Sequence, residues 1–80
     1  MEQELEKLRS EASVELEQVN SSSQLEEFRI RYLGRNGQLS GLMKQLGSAA
    51  KEDRPRLGKL ANSVRGDLEK IFTLKSAALN

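Results

Sequence analysis

Two glycines that bracket two polar residues interrupt an otherwise helical pattern in the middle of the chain. They are Gly34 and Gly37, within the stretch Tyr32-Leu-Gly-Arg-Asn-Gly-Gln-Leu39. Glycine allows positive φ at the end of a helix, so we expect a helix to stop at Gly34 and the chain to turn back here. A second interruption, Gly47-Ser-Ala-Ala50, precedes a long helical pattern.

Apolar residues at spacings of three and four predict four helices. The first covers residues 2–19, and its narrow stripe predicts contact with only one partner helix. The second begins at Ser23, which forms a capping box with Glu26. A short third helix covers residues 39–46, and the fourth runs from near Pro55, which is tolerated at a helix start, to the end. The stripe of the first helix comprises Leu5, Leu8, Ala12, Leu16 and Val19.

No segment alternates apolar and polar residues as a strand does, so the predicted class is all-α, with more than two-thirds of residues helical. We expect an antiparallel, coiled-coil-like helical hairpin in which the first and fourth helices pair, with the two short helices near the turn. Gly58, inside the fourth helix, is expected to mark close backbone packing. The predicted core cluster comprises Leu25, Phe28, Tyr32, Leu39, Leu42, Leu46, Leu57, Leu60 and Val64.

The residue types exclude most kinds of active site. The 80 residues include no Cys and no His, which removes thiolate ligands and the commonest general base. The adjacent carboxylates Glu26-Glu27 and Glu52-Asp53 are explained by helix first turns. No apolar run is long enough to span a membrane. We therefore expect no catalytic, cofactor-binding or metal-binding residue in this segment.

Charge is divided unevenly along the chain. Residues 1–28 hold eight acidic and two basic side chains, a net −6, whereas residues 29–80 hold eleven basic and four acidic ones, a net +7. Either the two halves neutralise each other in the fold, or the basic half binds a polyanion. The few aromatic residues all fall on apolar faces, so an RNA partner would be held by its phosphates rather than by base stacking.

Four motifs resemble the N-terminal domain of the bacterial phenylalanine–tRNA ligase alpha subunit. They are Phe28-Arg-Ile-Arg-Tyr-Leu-Gly-Arg-Asn-Gly-Gln-Leu39, Leu42-Met-Lys-Gln-Leu-Gly47, Lys51-Glu-Asp-Arg-Pro-Arg-Leu-Gly58 and Ala61-Asn62. Their order and spacing match the family over roughly residues 22–75, whereas residues 1–21 match only in character. Two departures are Asn36, where the family has a second basic residue, and Ala49-Ala50, where it has serine-proline.

The resemblance implies that residues 1–80 form a tRNA-binding helical arm, part of a longer subunit whose catalytic domain is absent here. Such an arm holds the body of tRNA(Phe) by its backbone while aminoacylation takes place elsewhere in a cytoplasmic α2β2 tetramer with the beta subunit. ATP and magnesium would bind elsewhere in that parent enzyme, and no cofactor is expected in this segment.

The clustering of basic residues, together with the resemblance, suggests which side chains contact tRNA phosphates. For Arg54, an ion pair with Glu52 or Asp53 is the alternative role. A different function also remains open: a helical-hairpin module that binds another coiled coil or its own copy, as the stripe of the first helix suggests. The candidate phosphate contacts are Arg35, Lys44, Arg54, Arg56 and Lys59, with Arg29, Arg31, Lys51 and Arg65 as weaker candidates.

Overall fold

The computed structural model describes residues 1–79, of which 81% are helical and none forms a strand. The all-α prediction is confirmed, and the helices are interrupted near the three predicted places. A π-helical turn, which the periodicity did not predict, continues α2 directly. The segments are α1 Glu2–Gln18, α2 Ser22–Phe28, the π-helical turn Arg29–Leu33, α3 Gln38–Leu46 and α4 Arg54–Leu79.

The two long helices run in the same direction. Residue numbers rise together along α1 and α4, as three polar contacts at successive heights show. They are an ion pair between Glu2 and Arg56, a 2.9 Å bond from Arg9 Nη1 to Asp67 Oδ2, and a 3.3 Å bond from Lys75 Nζ to the Glu17 carbonyl oxygen.

The chain between the long helices runs back in the opposite direction. We call residues 22–46, which hold α2, the π-helical turn and α3, the return segment. It begins beside the end of α1, and Arg31 in its middle forms an ion pair with Glu15. Its last helix, α3, lies beside residues 4–11 of α1, so the segment runs antiparallel to α1. The molecule is accordingly an elongated bundle of 44 × 18 × 15 Å.

This topology confirms a helical hairpin arm and corrects which elements form its antiparallel pairs. Each long helix is antiparallel to the return segment, whereas α1 and α4, which we expected to pair antiparallel, are parallel. The chain reverses near residues 19–21 and 47–53, and the interruption at residues 34–37 lies halfway along the return segment. Helical periodicity contains no information about direction, so it could not show that the short helices, joined in the middle of the chain, lie antiparallel to both long ones.

One apolar cluster joins all three parts of the bundle. Leu5 and Ala12 of α1 are completely buried, as are Val64 and Leu68 of α4. The prediction that the α1 stripe meets only one helix is wrong, because α1 packs against α4 and against the return segment as well.

Most of the predicted core is confirmed. Of that set, Leu42, Leu46 and Leu60 pack half-buried at the edge of the cluster, and Leu57 is buried outside it. The predicted residues inside the cluster are Leu25, Phe28, Tyr32, Leu39 and Val64.

The start of α2 differs from the predicted capping box. Ser21, rather than Ser23, is the N-cap, and its hydroxyl accepts a hydrogen bond from the Gln24 amide at 3.2 Å. Gln24 Oε1 in turn accepts a bond from the Asn20 amide at 2.9 Å. Ser21 is followed three residues later by Gln24, and Ser23 by Glu26, so the sequence is compatible with either serine as the N-cap. The structure adopts the register in which Ser21 is the cap.

Phe28 lies at the centre of the aromatic contacts. It is 1% exposed, and its ring centroid is 5.0 Å from that of Tyr32 and 6.4 Å from that of Phe72. It therefore joins the return segment to α4 through ring contacts as well as through burial.

Replacing Phe28 with Ala should destabilise the fold by ~3–5 kcal/mol, because it removes a large buried ring and leaves a cavity. A loss of this size is enough to unfold a domain this small. The free energy of unfolding is measured by urea titration followed by circular dichroism. Ile30→Ala is the control, since Ile30 is 57% exposed and should cost much less. Equal stability of the Phe28 variant and the parent would contradict the assignment of Phe28 to the core.

Candidate nucleic-acid interface

A compact turn at residues 34–37 holds Arg35 in solvent. The Gly37 amide donates to the Gly34 carbonyl at 2.9 Å, and the Ser40 hydroxyl donates to the same oxygen at 2.8 Å. Two donors thus fix one carbonyl between the π-helical turn and α3. Arg35 and Asn36 are exposed at the tip of this turn.

Glycine is needed here for space rather than for positive φ. Gly34 has φ −69° and ψ 168°, and no residue among 1–79 has a positive φ, so the predicted left-handed helix end is wrong. A Cβ on Gly34 would lie 2.7 Å from the Ile30 oxygen, and one on Gly37 would lie 2.9 Å from the Arg31 oxygen. The close approach predicted at Gly58 is also wrong, because among the described residues no atom outside its own stretch of helix lies within 4 Å of a Cβ placed there.

Three of the candidate cations meet at a groove between the return segment and α4. Arg35, Lys44 and Arg65 line this groove of about 450 Å³. We call it the central groove. Within residues 1–79, Arg35 and Lys44 form no ion pair, and both are exposed. The other lining residues are Leu33, Leu39, Ser40 and Met43.

A second groove of about 280 Å³ adjoins the first and shares Leu33 and Arg65 with it. It adds Arg29, so four cations follow one face of the bundle. We call Arg29, Arg65, Arg35 and Lys44 the basic track. The two arginines of the second groove pair with carboxylates: Arg65 Nε donates to Glu69 Oε1 at 3.0 Å, and Arg29 pairs with Glu26. The hydrogen bonds from Arg29 lower the pKa of the Glu26 carboxyl, and Glu26 raises the pKa of Arg29.

The other candidate cations do not line either of these two grooves. Arg31 pairs with Glu15, and Arg56 pairs with Glu2 and with Asp53. Lys51 and Lys59 lie before and in the first turns of α4, exposed and without an ion pair among the described residues. The five main candidates are therefore divided between the central groove, with Arg35 and Lys44, and the region where α4 begins, with the other three.

Arg65 is the groove residue that sequence reasoning ranked too low. It lies one position after the stripe residue Val64, and Glu69 and Phe72 follow it at i+4 and i+7. Residues at these spacings share one helix face. Phe72 widens the apolar stripe on that side, so Arg65 had to lie at its border. This position at the border of the stripe, together with the direction of the return segment, could have identified Arg65 as a groove residue.

Arg54 closes the connection between α3 and α4. Its Nη2 donates to the Gly47 carbonyl at 2.9 Å and its Nε to the Ala49 carbonyl at 3.2 Å. A cation in the first turn of α4 is unfavourable for the dipole of α4, yet it is favourable beside the carbonyl end of α3. Arg54 therefore serves as a cap for the preceding helix, and it forms no ion pair with Glu52 or Asp53.

Arg54→Ala should lower the free energy of unfolding by ~1 kcal/mol, since two charge-assisted hydrogen bonds at an exposed site are lost. Arg54→Lys should be nearly as destabilising, because an ammonium group lacks the planar fork that reaches both carbonyls. Urea denaturation measures both variants, and Lys59→Ala is the control for loss of one charge in the same helix. Full stability of the Lys variant would show that charge alone suffices.

Within residues 1–79 there is no group of three or more Asp, Glu, His or Cys side chains that could hold a metal ion. In the same range, no helix has the length and apolar character needed to cross a membrane.

A family model described as the N-terminal domain of class II aminoacyl-tRNA synthetases matches residues 20–80. The chain belongs to this family. It is also similar to proteins named phenylalanine–tRNA ligase alpha subunit, which confirms the resemblance derived from the motifs. One, from Desulfotalea psychrophila, is 52% identical over all 80 residues, which is 24% of that protein. Another, from Geotalea uraniireducens, is 44% identical over 69 residues, covering 86% of this chain and 20% of that protein.

A third relative of the same name, from Natranaerobius thermophilus, is 38% identical over 72 residues, covering 90% of this chain and 21% of that protein. No solved structure matches the chain. The chain spans about a quarter of the length of the first of these relatives. The similarity extends over residues 1–21, which by the motifs alone matched only in character.

Proposed function

We propose that the chain is the tRNA-binding arm of a phenylalanine–tRNA ligase alpha subunit. In this proposal it holds tRNA(Phe) by its phosphate backbone, while ATP- and magnesium-dependent aminoacylation takes place elsewhere in a cytoplasmic α2β2 enzyme. The observation that carries the proposal is the central groove, where Arg35 and Lys44 are exposed beside Arg65 and have no acidic partner among residues 1–79.

The groove suits phosphates better than bases. Arginine and lysine bind phosphate without reading sequence. Recognition by base stacking requires exposed aromatic rings. Phe28 and Tyr32 are buried in the core, and Phe72 is partly buried against it. The proposal is therefore backbone recognition of a structured RNA.

The opposite side of the bundle repels RNA. Helix α1 carries six glutamates against Lys7 and Arg9. Both cations are already paired, Lys7 with Glu11, and Arg9 with Glu6 and Asp67. A polyanion is thus favoured on the side of the return segment and α4, so the charge division sets the orientation of the arm on tRNA.

The remaining candidate residues enter the proposal with different weights. Lys59 and Lys51 are exposed cations near the start of α4, available as secondary phosphate contacts. Arg56 contacts phosphate only if it leaves Glu2 and Asp53. Arg54 keeps its bonds to the connection between α3 and α4, and we assign it a structural role within the proposed interface.

The rival function, a module that binds another helix, has one observation in its favour. An apolar groove of about 320 Å³ between α1 and α4 is lined by Leu16, Ile71, Leu74 and Ala78, and Leu74 is 62% exposed. This is a narrow strip, and single exposed apolar side chains are ordinary on soluble proteins. The groove does not outweigh the basic track, and the salt dependence described next separates the two functions.

The double variant Arg35→Ala/Lys44→Ala should bind tRNA(Phe) more weakly and with less sensitivity to salt. Each lost phosphate contact should lower the slope of log affinity against log salt by about one, hence by about two in total. Fluorescence titration of the chain with labelled tRNA at several salt concentrations measures this slope. The matched control is Lys7→Ala/Lys70→Ala, which removes the same charge from other parts of the surface. Equal losses in the two double variants would contradict the assignment, and salt-independent binding would favour the rival function.

In a phenylalanine–tRNA ligase that contains this chain, the same Arg35→Ala/Lys44→Ala substitutions should leave phenylalanyl-adenylate formation unchanged. That step needs no tRNA, whereas transfer of phenylalanine to tRNA should show a raised KM, because uniform binding is lost. Pyrophosphate exchange and aminoacylation assays measure the two steps separately. A parallel fall in both activities would indicate general damage to the enzyme and would refute the proposed role of these residues.

A further inference from the structure

Arg65 occupies the position where the two grooves of the basic track meet. It and Leu33 are the residues that line both grooves, and Arg65 is the charged one of the two. The other three cations of the track each line one of these grooves. An RNA backbone that follows the track therefore has to pass Arg65.

We propose that Arg65 is the central phosphate contact of the arm, and that Glu69 is an internal competitor which the phosphate displaces. The ligand is an RNA phosphodiester, so the inference rests on the proposed function. It goes beyond that function by assigning a role to an acidic residue within the interface.

The geometry leaves Arg65 ready to bind. Its hydrogen bond to Glu69 uses Nε, so the terminal nitrogens Nη1 and Nη2 form no hydrogen bond within residues 1–79. The Arg65 and Glu69 side chains are 56% and 57% exposed. An ion pair this exposed contributes little to stability, so a phosphate oxygen can replace the carboxylate at small cost.

Arg29, the other paired arginine of the track, is held more firmly. Its Nε contacts both carboxylate oxygens of Glu26 at 3.2 Å, and its Nη2 donates to Glu26 Oε1 as well. Fewer of its donors are available, so Arg65 rather than Arg29 is assigned the central contact. Arg35 and Lys44 have no such competitor among the described residues, which makes Glu69 the carboxylate that opposes RNA most directly in the central part of the track.

The decisive variant is Glu69→Gln, which removes the competing charge while keeping the shape of the side chain. It should bind tRNA(Phe) about two- to fivefold more tightly than the parent, as expected from loss of an exposed ion pair and of one repulsive charge. The matched control is Glu17→Gln, which makes the same change in net charge. Glu17 belongs to α1, and no residue of α1 lines either groove of the basic track. The control should change affinity much less. Thermal unfolding checks that both variants retain the fold.

Arg65→Ala should weaken binding and lower the salt slope by about one. When Arg65 is already Ala, adding Glu69→Gln should raise the affinity for tRNA only as little as Glu17→Gln does, because no arginine remains to be released from Glu69. This loss of the gain separates competition for Arg65 from a general charge effect.

Equal affinities of Glu69→Gln and Glu17→Gln would overturn the inference. So would a gain from Glu69→Gln that persists without Arg65. If either result occurs while Arg35→Ala/Lys44→Ala still weakens binding, the proposed function stands and only the role of Arg65 and Glu69 is wrong. Failure of the parent chain to bind tRNA would instead refute the proposed function itself.

Discussion

Mutual burial of three apolar stripes is the interaction on which the rest of this structure depends. Leu5 and Ala12 of α1 lose all contact with solvent, as do Val64 and Leu68 of α4, and Phe28 of the return segment is buried with its ring against Phe72 of α4. A chain of 80 residues has little apolar surface to bury, so no single helix is stable alone. The bundle exists because all three stripes are satisfied together.

The direction of the return segment brings basic side chains from distant parts of the sequence together in one groove. Because residues 22–46 run antiparallel to α4, Arg35 and Lys44 lie beside Arg65, which is distant from them in sequence. The turn that presents Arg35 depends on Gly34 and Gly37, where any side chain would collide with the backbone of the π-helical turn. The position of the Arg35 charge in the groove therefore depends on the absence of side chains at Gly34 and Gly37.

The division of charge has two outcomes in the fold, and mutual neutralisation, one of the two alternatives drawn from composition, is realised in part. Some cations neutralise acidic residues or carbonyl groups within the bundle, as Arg31 does with Glu15 and Arg54 does with the connection between α3 and α4. Others, Arg35 and Lys44 among them, form no ion pair among the described residues. The exposed cations that remain without an ion pair among the described residues include Arg35 and Lys44 in the central groove, which lies between the return segment and α4 and not on α1.

The sequence alone determined the all-α class, the places where helices stop, most of the core and the family, since each depends on local spacing or on motifs. It could not determine that α1 and α4 are parallel, because a 3.6-residue period is the same in either direction. It also placed the N-cap of α2 at Ser23 instead of Ser21, and it ranked Arg65 low. Tertiary packing decided the direction and the position of Arg65: the apolar stripes, by meeting as they do, set the direction of the return segment and so placed Arg65 between the two grooves.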